Sequence, residues 1–329
     1  MNKFDNAFLE SFFDCRYDEP YNFDHSRSGA RDAVDMEEYR QKTNLAGTLK
    51  AGKAVLGIDI YKYSQFQEET QPVVPFVFHL LAMRAFNVCL MTEPFLFQKY
   101  LKATFEESFN CFLETFVDTG DGGFFIFETP LHAFIFALLF ESMIRNYNTR
   151  TIFHKAGAFT KEILVRYTLT FDTVYRYTNK TYPKFNNIYG TGLINCHRIL
   201  SKDKLNRCLI DENTYKWFIA NTNGVETLRS MPYMALKASE YFKDYEFSPD
   251  KQNMSFCMPS ERAESNRGID RLDILKIGKI RSKSDILSVY NLHAQLSYHL
   301  PFRPRENEDI HHFVVTLGNL NTAGISEEY

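Results

Sequence analysis

Phe116-Val117-Asp118-Thr119-Gly120-Asp121-Gly122-Gly123-Phe124-Phe125-Ile126-Phe127 is the stretch that decides the fold class. Residues 109–118 and 122–128 read as two β-rich runs split by Thr119–Gly123, which predicts a hairpin with a glycine-rich turn. A hairpin joins antiparallel strands, so a fully parallel, doubly wound sheet is disfavoured. Upstream, residues 53–60 (KAVLGIDI) form an unbroken apolar run ending in an aspartate, the pattern of a buried central strand. Pro72 and Pro75 close a loop, and residues 74–93 (VPFVFHLLAMRAFNVCLMTE) predict a helix. Downstream, PLHAFIFALLFESMIRNY predicts an apolar helix with Pro130 in its first turn.

Residues 163–178 (ILVRYTLTFDTVYRYT) are β-branched and aromatic, predicting one long strand or a bent pair. A loop with Pro183 leads to Ile188-Tyr189-Gly190-Thr191-Gly192, then a helix-like LINCHRILSKDK and a strand at RCLIDENT. Residues 271–292 predict a closing strand pair. This order of elements implies an α+β fold, an α/β sandwich whose mixed, mainly antiparallel sheet is covered by helices. Three regions are expected: an N-terminal extension over 1–50, one domain over 51–295 with a polar insertion near 222–268, and a C-terminal tail over 296–329.

The 329 residues are 44% hydrophobic and 24% charged, ordinary for a chain with a real core. A net charge of -3 gives no basic surface for nucleic acid. The six cysteines (Cys15, Cys89, Cys111, Cys196, Cys208, Cys257) are scattered without a CxxC, which argues against zinc and for a reducing, cytoplasmic compartment. The N-terminus carries acids rather than a long apolar core, so no signal peptide is expected. The apolar runs near 76–92 and 131–143 are interrupted by His79, Arg84, Asn87 and His132. They read as buried helices rather than membrane spans. His79, His132, His154 and His197 are isolated, and neither a Gly-x-Ser-x-Gly elbow nor a P-loop occurs.

Two carboxylates remain as the chemistry-bearing feature. Asp59 ends the first apolar strand and Asp121 stands in the glycine-rich turn. A lone aspartate at a strand end is usually a turn or cap residue. A pair on adjacent central strands lies within reach of bridging hard divalent cations, which neutralise phosphate and activate a hydroxyl.

The ordered motifs Gly57-Ile58-Asp59-Ile60-Tyr61-Lys62-Tyr63-Ser64, Gly120-Asp121-Gly122 and Tyr189-Gly190 with Arg198 eight residues on resemble the class III nucleotidyl cyclases. The resemblance covers roughly 53–218 and returns at 271–292. It implies that Asp59 and Asp121, with the backbone carbonyl of Ile60, hold two Mg²⁺ or Mn²⁺ ions. It implies that Arg198 steadies the phosphate in flight and that Asn195 orients the ribose. Lys283, or else Arg281, falls where the family has a phosphate-binding lysine. The family also implies a homodimer with shared active sites, in which Arg198 reaches the metals of the other subunit.

Three departures qualify the resemblance. Val117 stands where many adenylate cyclases carry an adenine-reading lysine, and Asn187 stands at that lysine's partner position. Four residues after Gly190 comes Ile194, and Asn195 is one later; either the Thr191-Gly192 turn absorbs the extra residue or the asparagine's role is lost. Without adenine signatures, and with Tyr63 in place of the usual phenylalanine near the nucleotide pocket, the chain looks like the pyrimidine cyclases of the bacterial Pycsar antiphage system. UTP is then the expected substrate, with CTP next and a separate effector responding to the cyclic nucleotide. The alternatives are an adenylate or guanylate cyclase, a degenerate cyclase-like binding protein, or a palm-type polymerase or diguanylate-forming domain. The last lacks its Gly-Gly-Asp-Glu-Phe-type hairpin.

Overall fold

The computed structural model describes residues 2–5, 7, 52–92, 96–149, 162–179, 181–182, 187–203, 207–221, 268–281, 286–299 and 312–325. Most of the expected N-terminal extension, nearly all of the 222–268 insertion and Lys283 lie outside them. The described strands are β1 (Asn2–Asp5), β2 (Gly52–Ile60), β3 (Phe116–Asp118), β4 (Gly122–Phe127), β5 (Val165–Thr173), β6 (Tyr175–Thr178), β7 (Asn187–Tyr189), β8 (Cys208–Asp211), β9 (Gly268–Arg281), β10 (Ile286–His299) and β11 (His312–Leu317). The helices are α1 (Val73–Thr92), α2 (Phe105–Leu113), α3 (Pro130–Thr149), α4 (Thr191–Lys202) and α5 (Glu212–Asn221).

The large sheet runs β3-β4-β2-β5-β8-β10, and β9 lies on the far edge of β10. Strand β11 pairs with β10 over Ala294–His299, just past the residues that β8 uses, so β8 and β11 lie end to end along one edge. Only β5 and β8 pair in parallel in this sheet. The fold is α+β with a mixed, mainly antiparallel sheet. A small second sheet, β1-β6-β7, branches off where β5 ends and Val174 breaks the predicted long strand.

Strand alternation sorts the core into two layers. Ala54, Leu56, Ile58 and Ile60 of β2, with Phe125 and Phe127 of β4, pack on one face under α1 and α3. Val55, Phe124 and Ile126 point to the other face and meet Cys196 and Leu200 of α4. Both faces are covered, which is why β2 reads as continuously apolar rather than alternating.

Two segments depart from the sequence reading. Residues 109–113, expected as strand, close helix α2. Thr104 and Glu107 form a reciprocal capping box there, with Glu107 N donating to Thr104 Oγ1 at 3.2 Å and Thr104 N donating to Glu107 Oε2 at 3.3 Å. In RCLIDENT the strand stops at Asp211. Its carboxylate accepts from Thr214 N at 2.9 Å and starts α5. The sheet also reaches past the expected boundary at 295, because β10 runs to His299 and β11 lies in the expected tail.

Candidate active site

Asp59 occupies the last turn of pleat in β2 and shares the α4 face with Val55. Asp121 precedes β4 in the hairpin turn. The β2–β4 ladder pairs Asp59 with Gly122, and Ile60 N donates to the Asp121 carbonyl at 2.8 Å. This approach needs a glycine: a Cβ on Gly122, whose φ is +157°, would stand 2.1 Å from the Ile58 carbonyl oxygen. The two carboxylates are thus neighbours at one end of the sheet, close enough to influence each other's charge. Burial pushes the Asp59 carboxyl above its ordinary range, Arg166 draws it back, and the Asp121 charge pushes it further up.

Arg166, which the sequence reading missed, completes this cluster. It lies opposite Asp59 in the β2–β5 ladder, and its Nε donates to Asp59 Oδ2 at 2.6 Å. Its Nη1 donates to the Asp203 carbonyl at the end of α4. Asp203 is itself buried and accepts from Arg207 Nε at 3.0 Å, so the guanidinium is braced by a rigid corner. His197 of α4 also bears on the Asp59 charge, and its ring lies 6.4 Å from that of Phe124.

The donors present fit hard divalent cations. Two carboxylates on adjacent strands supply oxygen ligands, and Arg166 engages Oδ2 of Asp59, leaving Oδ1 for a cation. No group of three or more His, Cys, Asp or Glu with metal-binding geometry occurs among the described residues. The set therefore suits Mg²⁺ or Mn²⁺ brought with substrate phosphates and water rather than a protein-made cage. Ile60, buried at the end of the β2–β5 ladder, brings its backbone to the same corner.

Arg198 and Asn195 are elsewhere. Helix α4 begins at Thr191 behind Gly190, where a Cβ would stand 2.3 Å from the Thr173 carbonyl oxygen, and it is helical from its first residue. Gly192, Cys196, Ile199 and Leu200 face the sheet. At about 100° per residue, Ile194 and Arg198 share the opposite face, and Ile194 is 50% exposed. Asn195 is turned aside and donates from Nδ2 to Asp172 Oδ2 at 3.4 Å. Asp172 pairs with Lys53 and Arg166 pairs with Asp59, so the carboxylate that engages the Asn195 amide is a different one from the pair, further along β5. One chain therefore brings Asp59, Ile60 and Asp121 together, while the Asn195 amide is engaged by Asp172.

The remaining expected residues have other local duties. The Tyr63 hydroxyl donates to the Gln71 carbonyl at 3.0 Å and the ring packs on the core, so this hydroxyl is engaged by the chain itself. Val117 on edge strand β3 packs with the cluster around Phe124 on the α4 face. Asn187 opens β7 and its Oδ1 accepts from Ile188 N at 2.8 Å. Arg281 ends β9 and is exposed. Cys196 is buried, which pushes its thiol far up and leaves it inert as a nucleophile.

No protein-family model matches the chain, and no curated protein matches it. Solved structures similar to it are cyclase catalytic domains of the class III type. The adenylyl cyclase CyaB of P. aeruginosa is 13% identical with a TM-score of 0.41, covering 74% of this chain and 94% of that one. The adenylate cyclases of Trypanosoma brucei in their monomeric state give 11% identity and a TM-score of 0.40, covering 80% and 95%. A dimeric guanylyl cyclase domain of the RhoGC fusion protein from the aquatic fungus Blastocladiella emersonii gives 12% and 0.39, covering 74% and 96%.

Proposed function

We propose that the chain is a two-metal nucleotidyl cyclase, in which the 3'-hydroxyl of a nucleoside triphosphate attacks its own α-phosphorus and pyrophosphate leaves. The observation that carries this reading is the Asp59–Asp121 pair, set by the β2–β4 register at the open end of the sheet with Arg166 against it. Asp59, Asp121 and the Ile60 carbonyl hold the ions; when bound, Mg²⁺ or Mn²⁺ supplies Lewis acidity to the hydroxyl and charge neutralisation to the triphosphate. Arg166 lends the triphosphate a fixed positive charge from the same side. Arg198, on the outward face of α4, acts on the site of a second copy, so the enzyme is a homodimer with two shared sites. Lys283 belongs to the phosphate-binding side of this reading. Ile194 holds the place expected of the ribose-orienting asparagine, and Asn195 contributes to ribose binding only through its bond to Asp172.

UTP is the first substrate, giving 3',5'-cyclic UMP, and CTP the second. The support is the missing adenine-reading pair: Val117 offers an apolar wall and Asn187 has its oxygen tied to its own strand. A pyrimidine product fits a cytoplasmic antiphage role of the Pycsar kind, with a separate protein sensing the cyclic nucleotide. Incubation with each of the four nucleoside triphosphates and Mn²⁺ tests this. Preferential cyclic AMP or cyclic GMP formation overturns the pyrimidine assignment. Asp121→Ala should lower the rate roughly a hundredfold or more; an unchanged rate overturns the metal mechanism.

A second reading, a nucleotide-binding protein that has lost catalysis, is favoured by Ile194 at the outward position and by the Arg166 ion pair on Asp59. Tight Mn²⁺–nucleotide binding without any cyclic product supports it over the first.

A further inference from the structure

On the face of the sheet opposite the carboxylate pair, α1, α2 and β3 enclose a cavity of about 510 Å³. That lies within the roughly 300–1,000 Å³ span of small-molecule sites. Its α1 wall is Phe76, Leu80 and Met83, an i, i+4, i+7 stripe on the less buried face of the helix. A solvent-facing helical stripe is ordinarily polar, yet Phe76 is 65% exposed. Phe112, Leu113 and Phe116 make the opposite wall.

Among the described residues the lining has two polar side chains, and they meet: His79 Nε2 lies 3.5 Å from Asp118 Oδ2. The two Asp118 oxygens have different tasks. Oδ1 accepts from Gly120 N at 2.7 Å and so fastens the turn that carries Asp121. Oδ2 faces His79 at the cavity wall and is half exposed. An apolar chamber with one carboxylate oxygen at its wall selects an apolar body with a cationic, hydrogen-bond-donating head. It disfavours an anionic amphiphile, whose head would meet Asp118 as a like charge.

We propose that this cavity binds an aryl- or alkyl-ammonium amphiphile, with its ammonium on Asp118 Oδ2 and its body between α1 and α2, and that its occupancy stiffens the Asp121 turn. The site is independent of the catalytic reading, since it needs no turnover to be detected. Phenylbutylamine, phenylbutanol and phenylbutyrate share one apolar body and differ in the head. Titrated by calorimetry against the full chain, the amine should bind at least about tenfold more tightly than the carboxylate, with the alcohol between them. Asp118→Asn keeps an oxygen for Gly120 N and removes the charge; it should weaken the amine about tenfold and leave the alcohol unchanged.

Met83→Trp fills the chamber and should abolish binding of all three. Leu80→Trp serves the same purpose should the first variant lose its thermal transition. Hydrogen exchange at the Gly120 amide should slow with the amine and not with the carboxylate. Any other order of the three ligands, or no saturable binding, overturns the site. Unchanged exchange at Gly120 with the amine bound overturns the coupling. If sedimentation shows a dimer that Leu80→Asp disperses while no ligand binds, a second copy fills the cavity and the proposal fails.

Discussion

Asp59 carries two competing demands, and Arg166 sets the balance between them. The guanidinium neutralises a carboxylate that burial and Asp121 both push toward protonation. Replacing it by glutamine removes a cation from the place where divalent cations are to bind. Arg166→Gln should therefore tighten Mn²⁺ binding to the nucleotide-free protein by about two- to tenfold. It should also move the acid limb of that binding to higher pH, because Asp59 then holds its proton longer. Nucleotide turnover should move the opposite way, falling roughly ten- to a hundredfold as the triphosphate loses its fixed charge. Mn²⁺ titration and initial rates read the two effects separately. A parallel loss of both makes Arg166 only a brace between Asp59 and Asp203. The residue was legible in hindsight: in Val165–Asp172 the odd positions are apolar, whereas Arg166, Thr168, Thr170 and Asp172 form one polar row. Thr168 and Thr170 are fully buried on that row, under α4. Reading the stretch as generally β-rich rather than two-faced hid its charged member.

At the scale of elements, caps decided what hydrophobic pattern left ambiguous. A short aromatic run such as 109–113 suits strand or helix by composition, and the Thr104-x-x-Glu107 box fixes it as helix from its far end. Thr104→Ala should lower stability by about 1 kcal/mol in denaturant melts, through α2 alone. The strand–helix switch at Asp211 has a pH signature. Burial lifts this carboxyl from 3.8 to about 6, while Thr214 and Phe171 amides oppose the rise. Below 3.8 both folded and unfolded chains are protonated there. Between 3.8 and 6 the unfolded chain releases its proton first, so stability falls as pH rises, by up to about 3 kcal/mol once above 6. Asp211→Asn keeps an accepting oxygen for the cap and removes the charge. It should flatten that part of the pH profile and leave the protein at least as stable at pH 7, read by urea melts across pH. The central strand, the two long helices and the hairpin were legible because each is an apolar run bounded by glycine, proline or other turn residues. The tail strand β11 was not, since its six residues gain meaning only from the β10 edge beside β8.

At the scale of the whole molecule, the candidate chemistry is strung along one helix, α4. Asp59 and Asp121 lie by the C-terminal end of α4, where Arg166 reaches the Asp203 carbonyl. Asn195 of the same helix is engaged by Asp172, and Arg198 is not among the helix residues buried against the sheet. On the two-copy reading proposed above, Arg198 of one chain serves the carboxylates of the other. The exposed Ile194 beside Arg198, and Tyr189 at 43% exposure just before the helix, are apolar groups such an interface would cover. In a two-fold dimer each site then takes its carboxylates from one chain and its arginine from the other. Asp121→Ala and Arg198→Ala should each be inactive alone. Mixed in equal amounts and allowed to exchange, half the dimers are heterodimers with one intact site of two. The mixture should thus recover about a quarter of the wild-type rate per chain. No recovery, in a mixture shown by mass to exchange subunits, places Arg198 outside the reaction and leaves Arg166 as the arginine that serves the phosphate.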